Sequence, residues 1–209
     1  MDLGILFQVL KDRGLKYRIG NIRTPGDGNC FLSMMMMNIL HFQDAGSWTG
    51  RVPTDVDELR CWTIQNMKDN KHLYVGTNCP LTQEDFKKLI ETQSKLDSEC
   101  DEEGYFVAAC CRLLKVELTI IRTHGEPVIP INRGVDQITF SCGLIRNESS
   151  PTGHYQFIYP GEPDAIFVPP TEVFPTPVRN AGNIKSVLRF TYVFVILNFK
   201  VVSQTSHQL

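Results

Sequence analysis

Two residues of this chain, Cys30 and His154, have the types and settings needed for nucleophilic catalysis. Cys30 follows a turn-forming segment, residues 25–29, and precedes an apolar stretch, residues 32–40, that predicts a helix. The partial positive charge of a helix N-terminus favours thiolate and lowers the pKa of a cysteine placed there. Backbone N–H groups of such a turn can also receive a developing oxyanion. Cys30 thus has the setting of a nucleophile; the alternative is a small buried core residue.

His154 begins the segment 154–159, whose alternation and following Pro160-Gly161 predict a strand with a defined end. A strand is a rigid support for a general base, which must hold its imidazole within hydrogen-bond reach of the nucleophile. A half-buried structural histidine is the alternative. The other histidines fall in predicted helix ends, loops or the tail: His41, His72, His124 and His207.

The elements that must position these residues are helices first and strands later. Apolar spacing predicts a short amphipathic helix near the N-terminus, and the run of four methionines predicts that the helix after Cys30 is buried. Capping patterns at Thr54/Asp57 and Thr82/Asp85 predict two more helices, and residues 105–114 predict another. Strands are predicted at residues 116–121, 128–131, 137–142 and 154–159. This order predicts an α+β fold, a small central sheet flanked by helices.

Composition places the chain among ordinary globular proteins, with 209 residues, 42% apolar and 21% charged. A net charge of −2 gives no electrostatic case for nucleic acid or an anionic membrane as a partner. The seven cysteines form no CxxC pair and no zinc-type spacing, so no metal or cofactor is expected. Their odd number and irregular spacing favour a reducing compartment, the cytoplasm, over a disulfide framework. An acidic segment, residues 97–103, is either a solvated loop or a patch facing a basic partner.

The two chemical segments together resemble the ovarian-tumour (OTU) family of cysteine proteases. The matching residues are Asp27-Gly28-Asn29-Cys30-Phe31 and, 124 positions after the cysteine, Gly153-His154-Tyr155. Between them, a helix-like and then a strand-like segment, residues 105–121, resembles the family's helix and following strand. The context of residues 23–31 resembles viral members more than cellular ones, for which the compartment would be the host cytosol.

The resemblance implies a papain-like OTU fold and cleavage of the isopeptide bond after the C-terminus of ubiquitin or a ubiquitin-like protein, without a cofactor. Cys30 would attack the carbonyl, and His154 would take its proton and later pass it to the leaving lysine amine. Asp27 matches a family position that supports the oxyanion loop or orients the histidine. The family usually has Asp or Asn where Gln156 stands, and the Gln156 amide is a weaker candidate for orienting His154.

The resemblance covers about residues 18–162, which predicts three parts. Residues 1–17 form an amphipathic helix packed on the domain, residues 18–162 the catalytic domain, and residues 163–209 a proline-rich linker and apolar tail. The apolar stretch 187–202 contains Arg189, Asn198 and Lys200, too polar and too short for a transmembrane span, so a docked strand is expected.

Two other classes of function remain open from the sequence. An inactive OTU-like module would bind ubiquitin or ubiquitinated proteins without cutting them, and Gln156 is the residue that favours this reading. A plain interaction domain would use the Asp-Gly-Asn turn only structurally. A papain-type protease is disfavoured because its Cys-Gly-x-Cys-aromatic motif is absent.

Overall fold

A computed structural model describes residues 2–26, 28–77, 79–94, 104–124, 128–132, 134, 137–147, 150–164, 166 and 172–173. The chain divides into two units, residues 1–177 and 178–209, and every described residue belongs to the first. The predicted acidic segment 97–103 and the predicted strand 187–202 lie outside the described residues.

The described residues form five α-helices, one short 3-10 helix and seven strands. The helices are α1 (Leu3–Asp12), α2 (Cys30–Asp44), α3 (Val56–Asp69), α4 (Gln83–Gln93) and α5 (Tyr105–Leu114), with the 3-10 helix at Lys71–Leu73. The strands are β1 (Tyr17–Ile19), β2 (Ile22–Arg23), β3 (Val116–Arg122), β4 (Val128–Ile131), β5 (Ile138–Asn147), β6 (Ser150–Pro160) and β7 (Glu172–Val173). The α+β class predicted from the sequence is confirmed.

Five of the strands form one mixed sheet in the order β1-β6-β5-β3-β4. Strands β3 and β5 are parallel, and the other neighbours are antiparallel. A second, two-stranded sheet pairs β2 with β7 in parallel. Strand β6, which carries His154, therefore lies between the short edge strand β1 and the long strand β5.

The two faces of the main sheet are covered by different helices. On one face, the apolar side of α1 packs against Ile121, Ile145 and Ile158. The larger core lies on the other face, where α2 to α5 cover side chains of β3, β5 and β6. Because successive residues of a strand alternate between faces, Tyr155 contributes to the larger core while its neighbours His154 and Gln156 share the α1 face.

Helix α2, which begins at Cys30, is buried almost throughout, as its methionine run predicts. Met34 to Met37 are each 5% exposed or less. The helix is also held in register by Asn38, whose amide donates to the carbonyl of Ser141 on β5 (3.2 Å) and accepts from the Ser141 N–H (3.1 Å). These two bonds fix the position of α2, and hence of Cys30, relative to the sheet.

Two local predictions are corrected by the structure. Helix α3 is capped by Asp55, whose carboxylate accepts from the Glu58 N–H (2.7 Å), and not by the Thr54/Asp57 pattern; a carboxylate is the stronger acceptor beside a helix N-terminus. Strand β6 starts at Ser150, so His154 lies within the strand and not at its start. The Thr82 cap of α4 is confirmed, with a bond from the Asp85 N–H (3.1 Å).

Candidate active site

Cys30 is the first residue of α2 and is partly buried. The preceding turn needs Gly28, whose φ of 83° lies in the left-handed region where a side chain is strained. Asn29 occupies the N-cap position, yet its side chain makes no capping bond to the helix. The first N–H groups of an α-helix have no intrahelical partner, so this cysteine lies at the positive end of a buried helix.

The Asn29 side chain is instead held by Arg60 of α3. The guanidinium donates from Nη2 to Asn29 Oδ1 (2.7 Å) and from Nη1 to the carbonyl of Gln93 at the end of α4 (3.0 Å). Arg60 is only 1% exposed, and its guanidinium carbon lies 5.8 Å from the centre of the Phe106 ring on α5. One buried cation thus joins α3, α4 and α5 to the residue directly before Cys30.

His154 and Gln156 are both buried on β6, at 4% and 0% exposure. Gln156 does not orient the imidazole through a direct bond of its amide. Its Nε2 donates to the carbonyls of Ile22 (2.9 Å) and Phe157 (3.4 Å), and its Oε1 accepts from the Thr24 N–H (3.3 Å) and hydroxyl (3.1 Å). Gln156 therefore ties β6 to β2 and to the segment that leads to Cys30.

Thr24 contacts the imidazole of His154. Its Oγ1 lies 2.9 Å from Nε2 of His154 and also hydrogen-bonds to the carbonyl of Tyr155 and to Gln156 Oε1. The side chain is 1% exposed. Pro25 follows directly, and a residue before proline is restricted to extended backbone, which holds Thr24 beside β6.

The structure brings the cysteine segment and the histidine strand together. The ring of Phe31, directly after Cys30, meets the ring of Tyr155, directly after His154, edge to face with centroids 5.2 Å apart. Thr24, six positions before Cys30, makes the second link through the imidazole. The Phe31–Tyr155 contact and Thr24 thus connect the segment of Cys30 to the strand of His154 and Gln156, while Asp27 lies outside the described residues.

The other described cysteines differ from Cys30 in their surroundings. Burial raises the pKa of the Cys110 thiol to about 12, against a smaller opposing effect of a hydrogen bond with Thr63. Burial also raises the pKa of Cys111 and of Cys142, and nearby thiols raise it further, Cys110 and Cys142 at Cys111 and Cys30 at Cys142. These three thiols remain protonated and shielded, so they are core residues and not nucleophiles. Cys61 is exposed on α3, and Cys79 is partly buried.

Arg60 and Thr24 are the site residues that the sequence did not indicate. Arg60 stands among charged and polar residues of α3, and nothing in that pattern marks it as buried. Thr24 stands before a proline and has the composition of an ordinary turn. Among the described residues, no group of three or more His, Cys, Asp or Glu is arranged to hold a metal ion, and no helix has the length and apolar character to cross a membrane.

Comparisons with known proteins return structural matches only. No protein-family model matches the chain, and no curated protein matches it. The viral OTU domain protease from Taggert virus matches with 14% sequence identity and a TM-score of 0.46, over 66% of this chain and 78% of its own.

Two structures of OTU deubiquitinases from Wolbachia pipientis wMel match over 69% of this chain. The first has 14% identity and a TM-score of 0.43 over 89% of its own length. The second, bound to ubiquitin, has 15% identity and a TM-score of 0.40 over 96% of its own length. All three are OTU proteins, the family whose motifs the sequence resembles.

Proposed function

We propose that this protein is a cysteine-type deubiquitinase, a thiol isopeptidase that removes ubiquitin or a ubiquitin-like modifier from proteins or cleaves polyubiquitin. The observation that carries the proposal is a partly buried cysteine at the N-terminus of a buried helix, linked to a strand histidine by Thr24 and by the Phe31–Tyr155 contact. The substrate class comes from the OTU-like motifs around Cys30 and His154. Asp27 is proposed as a support of the oxyanion loop or as an orienting acid.

The proposed chemistry is acyl transfer through a thioester. Cys30 gives its thiol proton to His154 and attacks the carbonyl of the terminal glycine of the modifier, forming a tetrahedral oxyanion. Backbone N–H groups at the start of α2 stabilise this charge. Collapse expels the lysine amine, which takes the proton from His154, and water then hydrolyses the thioester with His154 as the base.

The surroundings of the site support this role in two ways. The α2 dipole favours an anion at Cys30, and the buried Arg60 cation lies against the adjacent Asn29. Both place positive charge where the mechanism requires thiolate and oxyanion. The buried thiols Cys110, Cys111 and Cys142 have raised pKa values and do not compete with Cys30.

A ubiquitin probe with a C-terminal electrophile tests the proposal. We expect a covalent adduct of one probe per chain, seen as a mass shift in the intact protein and mapped to Cys30. Cys30→Ala should abolish the adduct, and His154→Ala should slow it about 10²- to 10⁴-fold, the usual contribution of a general base. Cys61→Ser, which removes an exposed thiol on α3, is the matched control and should react like the parent.

Parallel probes built on other ubiquitin-like modifiers, with di-ubiquitin cleavage assays, would identify the substrate. Absence of an adduct with every such probe, in protein shown to be folded, would refute the protease proposal. If ubiquitin then still bound, the chain would be a non-cleaving ubiquitin-binding module, the alternative that Gln156 favours.

A further inference from the structure

The hydrogen bonds around Thr24 determine which nitrogen of His154 carries the proton. The Thr24 hydroxyl has one proton to donate and meets three partners: the Tyr155 carbonyl, Gln156 Oε1 and His154 Nε2. A carbonyl oxygen can only accept. With a bare Nε2, three acceptors would share the single hydroxyl proton, whereas an Nε2 proton donated to Oγ1 frees the hydroxyl proton for one of the two oxygens.

The orientation of the Gln156 amide is itself fixed, so its oxygen must face Thr24. Its Nε2 donates to the Ile22 carbonyl (2.9 Å), and its Oε1 accepts from both the N–H and the hydroxyl of Thr24. In a reversed amide, the Gln156 NH₂ group would face the Thr24 N–H, donor against donor, and its oxygen would face the Ile22 carbonyl oxygen, acceptor against acceptor. Burial of Thr24 and Gln156, at 1% and 0% exposure, makes such mismatches costly.

We infer that Thr24 is the positioning residue of His154 and that it fixes the Nε2–H tautomer, leaving Nδ1 as the base. Thr24 takes the place that an acidic or amide side chain has in most OTU-like sites, and Gln156 fixes Thr24 by accepting hydrogen bonds from its N–H and hydroxyl. The catalytic meaning of this inference rests on the proposed function. In the first step the Cys30 thiol proton moves to Nδ1 while the other proton remains on Nε2, hydrogen-bonded to Thr24 Oγ1, and the same Nδ1 proton later leaves with the lysine amine.

The Thr24 hydroxyl, as an acceptor for the Nε2 proton, also affects the pKa of the His154 imidazolium. A hydrogen bond that accepts from the charged ring stabilises it and raises its pKa, so removal of the acceptor lowers that pKa. Loss of a hydrogen bond to a charged group costs about 1.5–3 kcal/mol, which corresponds to a change in the pKa of that group of about one unit or more. Thr24→Val keeps the shape and removes the acceptor, and Thr24→Ser restores the hydroxyl.

The first test does not require any enzymatic activity. Protein labelled with ¹⁵N in histidine is studied by long-range ¹H–¹⁵N NMR, with the His154 signals identified by their loss in His154→Gln. We expect a protonated Nε2 with slow solvent exchange and a bare Nδ1 in the parent and in Thr24→Ser, and fast exchange of that proton in Thr24→Val. The inference would be overturned if the parent ring were protonated on Nδ1 alone, or if the exchange rate of the Nε2 proton were the same in Thr24→Val as in the parent.

The second test measures the alkylation rate of Cys30 by chloroacetamide against pH, with the peptide identified by mass spectrometry. We expect the alkaline limb, which reports loss of the imidazolium proton, to move down by about one pH unit in Thr24→Val and to return in Thr24→Ser. A purely structural role would lower the rate without moving the limb, and that outcome counts against the inference. Neither test uses ubiquitin, so failure of the ubiquitin probe alone would refute the proposed substrate and not the role of Thr24.

Discussion

At the scale of single residues, two neutral side chains, Thr24 and Gln156, stand near His154 in place of a single acidic one. An acidic residue two positions after the histidine would place a charge beside the imidazole, whereas Gln156 is directed to Thr24 and to the Ile22 carbonyl. The longer glutamine side chain reaches past the histidine to the neighbouring segment. The substitution thus changes what holds the imidazole and also ties β6 to the chain that enters the cysteine turn.

The Gln156→Leu variant tests that structural role. Leucine keeps the approximate volume but leaves the Ile22 carbonyl and the Thr24 N–H without a partner in a buried place. We expect a loss of about 2–4 kcal/mol in the free energy of unfolding, from two orphaned groups, measured by urea denaturation. Gln43→Leu, at an exposed position of α2, is the control and should change stability by less than about 0.5 kcal/mol. Equal effects of the two variants would contradict the assigned role.

At the scale of elements, the cysteine turn depends on α3, α4 and α5, which contain none of the residues proposed to act in catalysis. Arg60 of α3 holds Asn29 and the last carbonyl of α4, so packing of α3 against α4 and α5 is transmitted to the start of α2. A buried cation is stabilising only while its acceptors are in place. The position of Cys30 is therefore set partly by residues thirty or more positions away in sequence.

A double-mutant cycle on Arg60 and Asn29 measures this link. Arg60→Met and Asn29→Ala each leave a buried partner unsatisfied, and we expect each to cost about 1.5–3 kcal/mol of unfolding free energy. Their coupling energy should be about 1–3 kcal/mol, because the groups are in direct contact. Both variants should also slow chloroacetamide alkylation of Cys30, because the turn before it loses its anchor.

The control cycle uses Arg51 and Glu58, which form an ion pair of 2.7 Å with the arginine exposed. Exposed pairs contribute about 0.2–1 kcal/mol, so this coupling should be the smaller of the two. If the Arg60–Asn29 coupling were no larger than that of the surface pair, the proposed anchoring of the cysteine turn would be wrong.

The elements differ in how well the sequence predicted them. Helix α5 has its predicted bounds, residues 105–114, and strand β3 extends only one residue past its predicted end. Strand β6 was harder to predict, because Ser150, Pro151 and Gly153 have turn propensities. Ser150 pairs with Asn147 of β5, with an irregular register between Ile145 and Asn147, so the earlier start of the strand depends on pairing with a neighbouring strand and not on local preference.

In the candidate site, too, the sequence indicated residues with a local signal but not those that act through long-range contacts. Cys30 and His154 could be proposed from the sequence because the chemistry requires those residue types in those local settings. Thr24 and Arg60 act through contacts with residues 130 and 31 positions away, and their own neighbours in sequence give no sign of them. Gln156 was found as a departure from a motif, but its partners are set by the pairing of β2, β6 and Thr24.

At the scale of the whole molecule, the core contains thiols that must stay neutral. Cys110, Cys111 and Cys142 are fully buried, and burial is the largest cause of the raised pKa of each. In the unfolded chain the Cys110 thiol ionises near its ordinary value of 9.0, while in the folded protein its pKa is about 12. Between these values the unfolded state has released a proton that the folded state retains.

Stability should therefore fall as the pH rises above about 9. Proton release on unfolding means that higher pH favours the unfolded state, with a slope of up to about 1.4 kcal/mol per pH unit for each such thiol. We expect urea denaturation between pH 8 and 10.5 to give a shallower decline for Cys110→Ala than for the parent, although the variant starts lower because it leaves a small cavity. Cys61→Ala, at the exposed thiol of α3, should keep the slope of the parent. If Cys110→Ala declined as steeply as the parent, the Cys110 thiol would not be one of the groups that limit alkaline stability.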